Sequence, residues 1–193
     1  MQSKNIMIVG VGGQGSLLAS KLLGHILLKK GADVKVSEVH GMSQRGGSVV
    51  TYVRSGDKVF SPVIDRGGAD FIVSFELLEA ARYVSFLKPD GRIVTNIQQI
   101  DPMPVITGAA TYPADLVAKM RAADVQVDAL DCLALAEKAG SAKAVNLVLL
   151  GRLSHYFDDI SEQEWEDAIR ENVPPKFLEL NLKAFALGKE AAA

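Results

Sequence analysis

The sequence predicts an α/β fold: a three-layer Rossmann-like sandwich whose sheet is mostly parallel, with an inserted β-hairpin and a helical C-terminal third. Three observations carry the prediction. Short apolar runs such as "NIMIV" (5–9) and "FIVSF" (71–75) have the length and composition of strands buried on both faces. The first run passes through a glycine cluster into a helical pattern and then a period-two segment, the order of a right-handed βαβ unit. From residue 131 onward, the pattern is helical. The 193 residues suit one domain, 1–193, and 48% hydrophobic content is enough for its core.

Each element follows from local chemistry. From Ser16 to Lys30, Leu18, Leu22 and Ile26 form one stripe with Leu23 and Leu27 beside it. Lys29 and Lys30 suit the negative end of the helix dipole, and Gly31 supplies the stop. "DVKVSEV" makes a second strand over 33–38. "VVTYVR" and "KVFS" flank "SGD", which predicts a hairpin there. After a loop (60–69) and the strand at 71–75, a helix is expected from Glu76 to Leu87. "KPDG" should stop it before a strand at 92–96. Pro102, Pro104 and Pro113 punctuate an irregular stretch, with short strands expected near Val105 and Val125. "DCLALAEKAG" then reads as a helix ended by Gly140, and "AVNLVLLGRLSHYF" (144–157) as a helix apolar nearly all round, hence buried on several sides. Ser161 and Glu164 form a capping box, and Pro174 and Pro175 open a last helix with a Leu178, Leu182, Phe185 stripe. "GKEAAA" is expected to fray.

Composition narrows the function. A net charge of -2 leaves no basic surplus for phosphates, which argues against a primary nucleic-acid role. A single cysteine, Cys132, cannot form an internal disulfide and fits a reducing compartment. It also falls short of the about four thiolates an iron–sulfur cluster needs, and of a structural zinc set. Set on an apolar helix, it reads as a buried, inert thiol. The opening "MQSKNIMIVG" lacks the regions of a signal peptide. No apolar run approaches the ~20 residues that span a bilayer. The expectation is a cytoplasmic protein without membrane contact.

"GVGGQG" spans Gly10 to Gly15 and satisfies G-x-G-x-x-G between a strand and a helix. In a dinucleotide site Gly10 would make the tight turn, Gly12 admit a phosphate to the backbone and Gly15 allow close helix–strand packing. Glu38 falls where a ribose-binding acid would sit. The plain alternative is a tight turn that only needs glycine. The segment after Glu38 argues against a working nicotinamide domain, because a hairpin extends the sheet antiparallel where the dinucleotide order needs another crossover helix. The stretch "EVHGMSQRGGSV" (38–49) has a different logic. Gly41, Gly46 and Gly47 permit positive φ. Arg45 offers a rigid fork for a carboxylate or phosphate, His40 a proton carrier, and Ser43 and Gln44 neutral hydrogen-bonding groups. Taken singly, His40 and Arg45 could be structural; as a group they describe a contact loop. His25 and His155 read as core or boundary residues, and Asp158 and Asp159 as a solvated helix exit. No nucleophile elbow, metal-ligand spacing or acid–base carboxylate pair is evident.

The pairing of "GVGGQG" with "EVHGMSQRGGSV" resembles the gamma-type domain of the 2-oxoacid:ferredoxin oxidoreductases. "VFSPVI", "FELLEAARYVSFLKPDG", "AVNLVLLGRL" and "NLKAFALGKE" extend the resemblance over nearly the whole chain. It marks Gly10, Gly12, Gly13, Gln14 and Gly15, then Glu38 to Gly47, as signature positions, and carries over no catalytic residue. It implies an accessory subunit of an enzyme that oxidatively decarboxylates arylpyruvates to acyl-coenzyme A. A large alpha-type partner would hold thiamine diphosphate, Mg and the 4Fe-4S clusters, coenzyme A would be the co-substrate, and ferredoxin would be reached through the complex. The isolated chain would then be inactive, as a monomer or a homodimer. A gamma subunit for pyruvate, 2-oxoglutarate or branched-chain oxoacids is the nearest alternative. An NAD(P)-dependent reductase and a nucleotide-sensing or scaffolding protein are the others.

Overall fold

The computed structural model describes residues 3–40 and 47–191, with the backbone alone at position 40. In chain order the elements are β1 (Lys4–Val11), α1 (Ser16–Lys29), β2 (Asp33–His40), β3 (Ser48–Gly56), β4 (Ala69–Ser74), α2 (Leu77–Arg82), β5 (Leu87–Asn96), α3 (Met103–Ile106), α4 (Leu116–Ala122), β6 (Gln126–Leu130), α5 (Cys132–Ala139), α6 (Val145–Ser154), α7 (Glu162–Asn172) and α8 (Leu178–Glu190). The strands form one sheet in the order β2-β3-β1-β4-β5-β6. Pairings from β1 through β4 and β5 to β6 are parallel, and β3 runs antiparallel to both its neighbours.

The alternation of β1 builds the three layers. Ile6 and Ile8 enter a core formed with α1 and α5 to α8. Met7 and Val9 face the other way, into a core with Leu77 and Ala80 of α2 and Leu116 and Met120 of α4. Helix α6 is buried from Val145 to Gly151 and again at Leu153, as an all-round apolar pattern requires. The α1 stripe docks through Leu22, Leu23, Ile26 and Leu27. Lys29 Nζ and His25 Nε2 then reach Glu171 at 2.5 and 2.7 Å, and Lys30 Nζ reaches Glu164 at 2.9 Å, fastening α7 to α1. The capping box at Ser161 is present in full. Its backbone and hydroxyl bonds, with Lys30, hold the Glu164 carboxyl down at about 2.

Several expectations are corrected. Strands β1 and β2 are parallel, as a βαβ connection demands, but they are not neighbours, since β3 lies between them. The hairpin is not within 49–61: β3 is continuous through Gly56 and pairs back onto β2 from Asp33↔Gly56 to His40↔Val49. The tight-turn residues around Gly56 end a strand, and the antiparallel partner that precedes β3 in the chain is β2. Helix α2 stops at Arg82, and a 3-10 turn at Val84–Phe86 leads directly into β5. "KPDG" therefore does not stop a helix; it lies inside β5, where the register jumps between Ala69↔Leu87 and Phe71↔Arg92. Val105 sits in the short helix α3, and α4 has no counterpart among the elements expected from the sequence. The strand expected near Val125 is β6. Pro175 opens a 3-10 turn before α8. Gly188, expected to fray, is buried in α8.

Candidate functional site

The strand order brings the two sequence signatures together. Because β3 inserts beside β1, Val11 pairs with Ser48, and the Gly12 N–H donates to Gly47 O at 2.9 Å. Gly47 thus lies next to the glycine turn, at the carboxyl edge of the parallel strands, where open α/β sheets bind ligands. Gly41, Ser43, Gln44, Arg45 and Gly46 lie outside the described residues, as does the His40 side chain.

The glycines do not divide their work as a dinucleotide fingerprint would. Gly10 is still in β1, paired with Val49; a Cβ there would stand 3.0 Å from the Phe75 Cβ and 2.8 Å from Gln14 Oε1. The turn proper begins at Gly12, and Gly13 (φ 97) follows. Gly15 caps α1 in the left-handed region at φ 90, with no side-chain cap, so the first N–H groups of a 14-residue helix are left open. A Cβ at Gly15 would meet Asn146 Nδ2 of α6 at 3.3 Å, so the third glycine serves a contact with α6 rather than with a strand.

Gln14 closes the turn. Its Oε1 accepts from the Val11 N–H at 2.7 Å, and its Nε2 donates to Phe75 O at 3.2 Å. Asn96 Nδ2 donates to Phe75 O and to Gln98 Oε1, both at 3.3 Å, while Asn96 Oδ1 accepts from the Cys132 N–H at 3.1 Å. This amide network joins the ends of β1, β4, β5 and β6. Two cavities of about 420 Å³ flank it. One is lined by Gly12, Gly13, Gly15, Leu17, Glu38 and Val49, the other by Gln14, Phe75, Gln98, Leu133 and Lys143. Glu38 faces the first of them and accepts from the Thr51 hydroxyl at 3.3 Å.

Behind the hairpin lie two carboxylates that sequence reasoning missed as a unit. Glu76 is 1% exposed and satisfied three times: Oε2 accepts from the Glu79 N–H at 2.8 Å, and Oε1 from the Ile100 N–H at 3.1 Å and the Tyr112 hydroxyl at 2.5 Å. Glu79 Oε2 accepts from the Ser48 hydroxyl at 2.5 Å, and Arg82 stands 3.4 Å from its other oxygen. Burial is the main cause that raises the Glu79 carboxyl above its ordinary value of 4.5, Ser48 and Arg82 working against it. The signal available in the sequence was a glutamate directly after a buried strand and at the start of a helix, in "SFELLE".

A raised acid binds its proton more tightly folded than unfolded. This group's contribution to stability therefore falls as pH rises from 4.5 through the folded value. The Glu79→Gln variant should show a flatter urea-midpoint profile between 4.5 and neutrality than the parent. Parallel profiles would remove the assignment.

The residues present do not fit an iron–sulfur cluster. Cys132 is the only thiol, is 0% exposed, and has its titration pushed up chiefly by burial. Among the described residues no group of three or more His, Cys, Asp or Glu could hold a metal ion. No helix among them is long and apolar enough to cross a membrane. His25 sits at the α1/α7 boundary and His155 touches Lys189 O, away from the glycine turn. Asp158 and Asp159 are exposed.

An antiparallel strand beside the glycine turn, on an otherwise parallel six-stranded sheet, defines a class of α/β subunit rather than a nicotinamide domain. The fold is that of the pyruvate oxidoreductase subunit PORC of Thermotoga maritima, with a TM-score of 0.76 at 20% identity over 98% of this chain and 97% of that one. It is also found in 2-oxoglutarate:ferredoxin oxidoreductase of Magnetococcus marinus, solved with 2-oxoglutarate, coenzyme A and succinyl-CoA bound. There the TM-score is 0.72 at 21% identity, over 98% of this chain and 31% of that one. The chain belongs to the pyruvate ferredoxin/flavodoxin oxidoreductase family, whose model matches residues 5–191. Among curated relatives, indolepyruvate oxidoreductase subunit IorB of Thermococcus kodakarensis is 45% identical over 196 residues, covering 100% of this chain and 97% of the relative.

Proposed function

We propose that this chain, as one gamma-type domain over residues 1–193, is the small subunit of a ferredoxin-dependent oxidoreductase for indolepyruvate and related arylpyruvates. The carrying observation is the end-to-end 45% identity to an indolepyruvate oxidoreductase subunit. Thiamine diphosphate, Mg and 4Fe-4S clusters belong in a large partner, because the one thiol here is buried inside a packed core. Coenzyme A takes the acyl group, ferredoxin takes the electrons through the complex, and a cytoplasmic setting suits a lone reduced cysteine. In this reading the glycine turn and the 38–47 stretch form the surface that meets the partner at its acyl or coenzyme A path, with Arg45 and His40 supplying charge and a proton-carrying ring.

Co-expression with a thiamine- and cluster-binding large subunit should yield a brown complex that reduces ferredoxin with indolepyruvate and coenzyme A, while the chain alone does nothing. Oxidation of an oxoacid by the purified chain alone, or failure to assemble with any such subunit, would sink the proposal. In that complex, Arg45→Ala should lower turnover by about 10-fold or more, the scale of one lost charge-assisted contact, with the melting temperature of the isolated chain unchanged. Full activity of the variant would remove Arg45 from the interface.

A further inference from the structure

The two buried carboxylates of α2 and its cap act in different directions. Glu76 is committed inside the fold, to the Glu79 N–H and to two donors of the 97–115 connection. Glu79 instead turns toward the surface. Its side chain is 6% exposed, yet its Oε2 holds the hydroxyl of Ser48, an exposed residue, at 2.5 Å. The Tyr83 hydroxyl stands 3.3 Å from the same Ser48 oxygen. A methionine or a glutamine would fill such a place without taking a carboxylate out of water, so packing alone does not call for an acid here.

Ser48 is where that acid takes hold of the candidate site. It is the first residue of β3 and pairs with Val11, and the carbonyl of Gly47 just before it accepts from the Gly12 N–H at 2.9 Å. Glu79 is itself fixed: its N–H donates to Glu76 Oε2 at 2.8 Å, and Arg82 Nε stands 3.4 Å from its Oε1. The contacts therefore run from α2 through Glu79, Ser48 and Gly47 to Gly12. An O–H donating to a carboxylate is among the stronger hydrogen bonds, so the start of β3 is held to the helix rather than merely resting near it.

We propose that Glu79 is a positioning residue: by holding Ser48 it fixes Gly47 against Gly12, and so presets the surface at the glycine turn that receives the large subunit. A surface already in its bound arrangement loses less freedom on association. The proposal rests on the reading above that this surface meets such a subunit, and its experiment is chosen so that the two fail separately.

The first measurement uses the 193-residue chain alone. Amide hydrogen exchange is read at Gly12, whose N–H is bound by Gly47, and at Phe75, whose N–H donates to Val9 O at 2.9 Å. Ser48→Ala should speed exchange at Gly12 by about 10-fold, the scale of one hydrogen bond to a charged group, and leave Phe75 unchanged. Ser48→Thr keeps the hydroxyl and should match the parent. In a Glu79→Gln background Ser48→Ala should do less, about 3-fold, because a neutral acceptor holds the hydroxyl more weakly. The second measurement titrates the chain into the large subunit and follows turnover. Ser48→Ala should raise the half-saturating concentration by about 10-fold with the plateau unchanged, and Ser48→Thr should restore it. Unchanged exchange at Gly12, equal acceleration at Phe75, or a loss that Ser48→Thr does not repair overturns the hold of Glu79 on the turn. Unchanged half-saturation overturns its role in presetting the subunit surface. If the parent chain assembles with no large subunit, the function proposed above falls and the subunit surface with it, while exchange at Gly12 still decides whether Glu79 holds the turn.

Discussion

Replacing Gly188 by alanine is expected to destabilise the protein by about 3 kcal/mol, the upper part of the range for overpacked cores. For a chain of this length that lowers the melting temperature by about 6–12 °C. The reason is the crossing of α6 and α8. A Cβ on Gly188 would lie 2.0 Å from Val148 O, and one on Gly151 would lie 2.0 Å from Phe185 O. The obstacle in both cases is backbone, which cannot turn aside as a side chain can. The helices must separate, and Leu147, Val148, Ala184 and Phe185 would lose their packing with them. Gly151→Ala should cost a similar amount. The double variant should cost less than the sum, because either substitution alone opens the same crossing. Thermal and urea unfolding read all three; a loss under about 1 kcal/mol in both single variants would mean the crossing is not close-packed. The effect reaches the candidate site, since α6 carries Asn146 against the Gly15 turn.

Glu76→Ala is the second large effect, also about 3 kcal/mol, because three donors lose a buried acceptor at once. The Ile100 N–H and the Tyr112 hydroxyl come from the 97–115 connection, and the Glu79 N–H from the first turn of α2. One carboxylate thus pins an otherwise irregular segment to the end of β4. Tyr112→Phe removes a single donor from a charged acceptor and should cost about 1.5 kcal/mol. Both variants should be cleaved faster within 97–115 by a protease at low concentration than the parent. Unchanged cleavage with unchanged urea midpoints would show that Glu76 does not hold the segment.

Much of this architecture is legible in local sequence. The α1 stripe, the Ser161–Glu164 capping box, the Gly140 stop and the all-round burial of α6 each follow from residues within a few positions of one another, where side-chain period and cap chemistry act directly. The misreadings share a cause. "SGD" has the composition of a tight hairpin turn, yet Ser55 and Gly56 stay in strand because Lys4, Val34 and Asp33 pair with them from outside the window. "KPDG" looks like a helix stop, but α2 has already ended at Arg82, and the segment is the stretch of β5 between the Ala69↔Leu87 and Phe71↔Arg92 pairs with β4. "GKEAAA" looks like a frayed end, but Gly188 is held by α6, about forty positions away in the chain.

Residue type and spacing alone establish an α/β chain with a glycine turn, a polar segment after its second strand and too few thiols for an iron–sulfur cluster, because period, turn chemistry and ligand count are local properties. The placement of β3 between β1 and β2 comes from packing across the whole chain. That order sets Gly47 and Ser48 beside the glycine turn, commits Gln14 to bracing the strand ends, and buries Glu76 where three donors converge. Strand order is chosen by long-range pairing, whose free energy depends on which surfaces meet after the chain has closed on itself, and no window of sequence contains both partners.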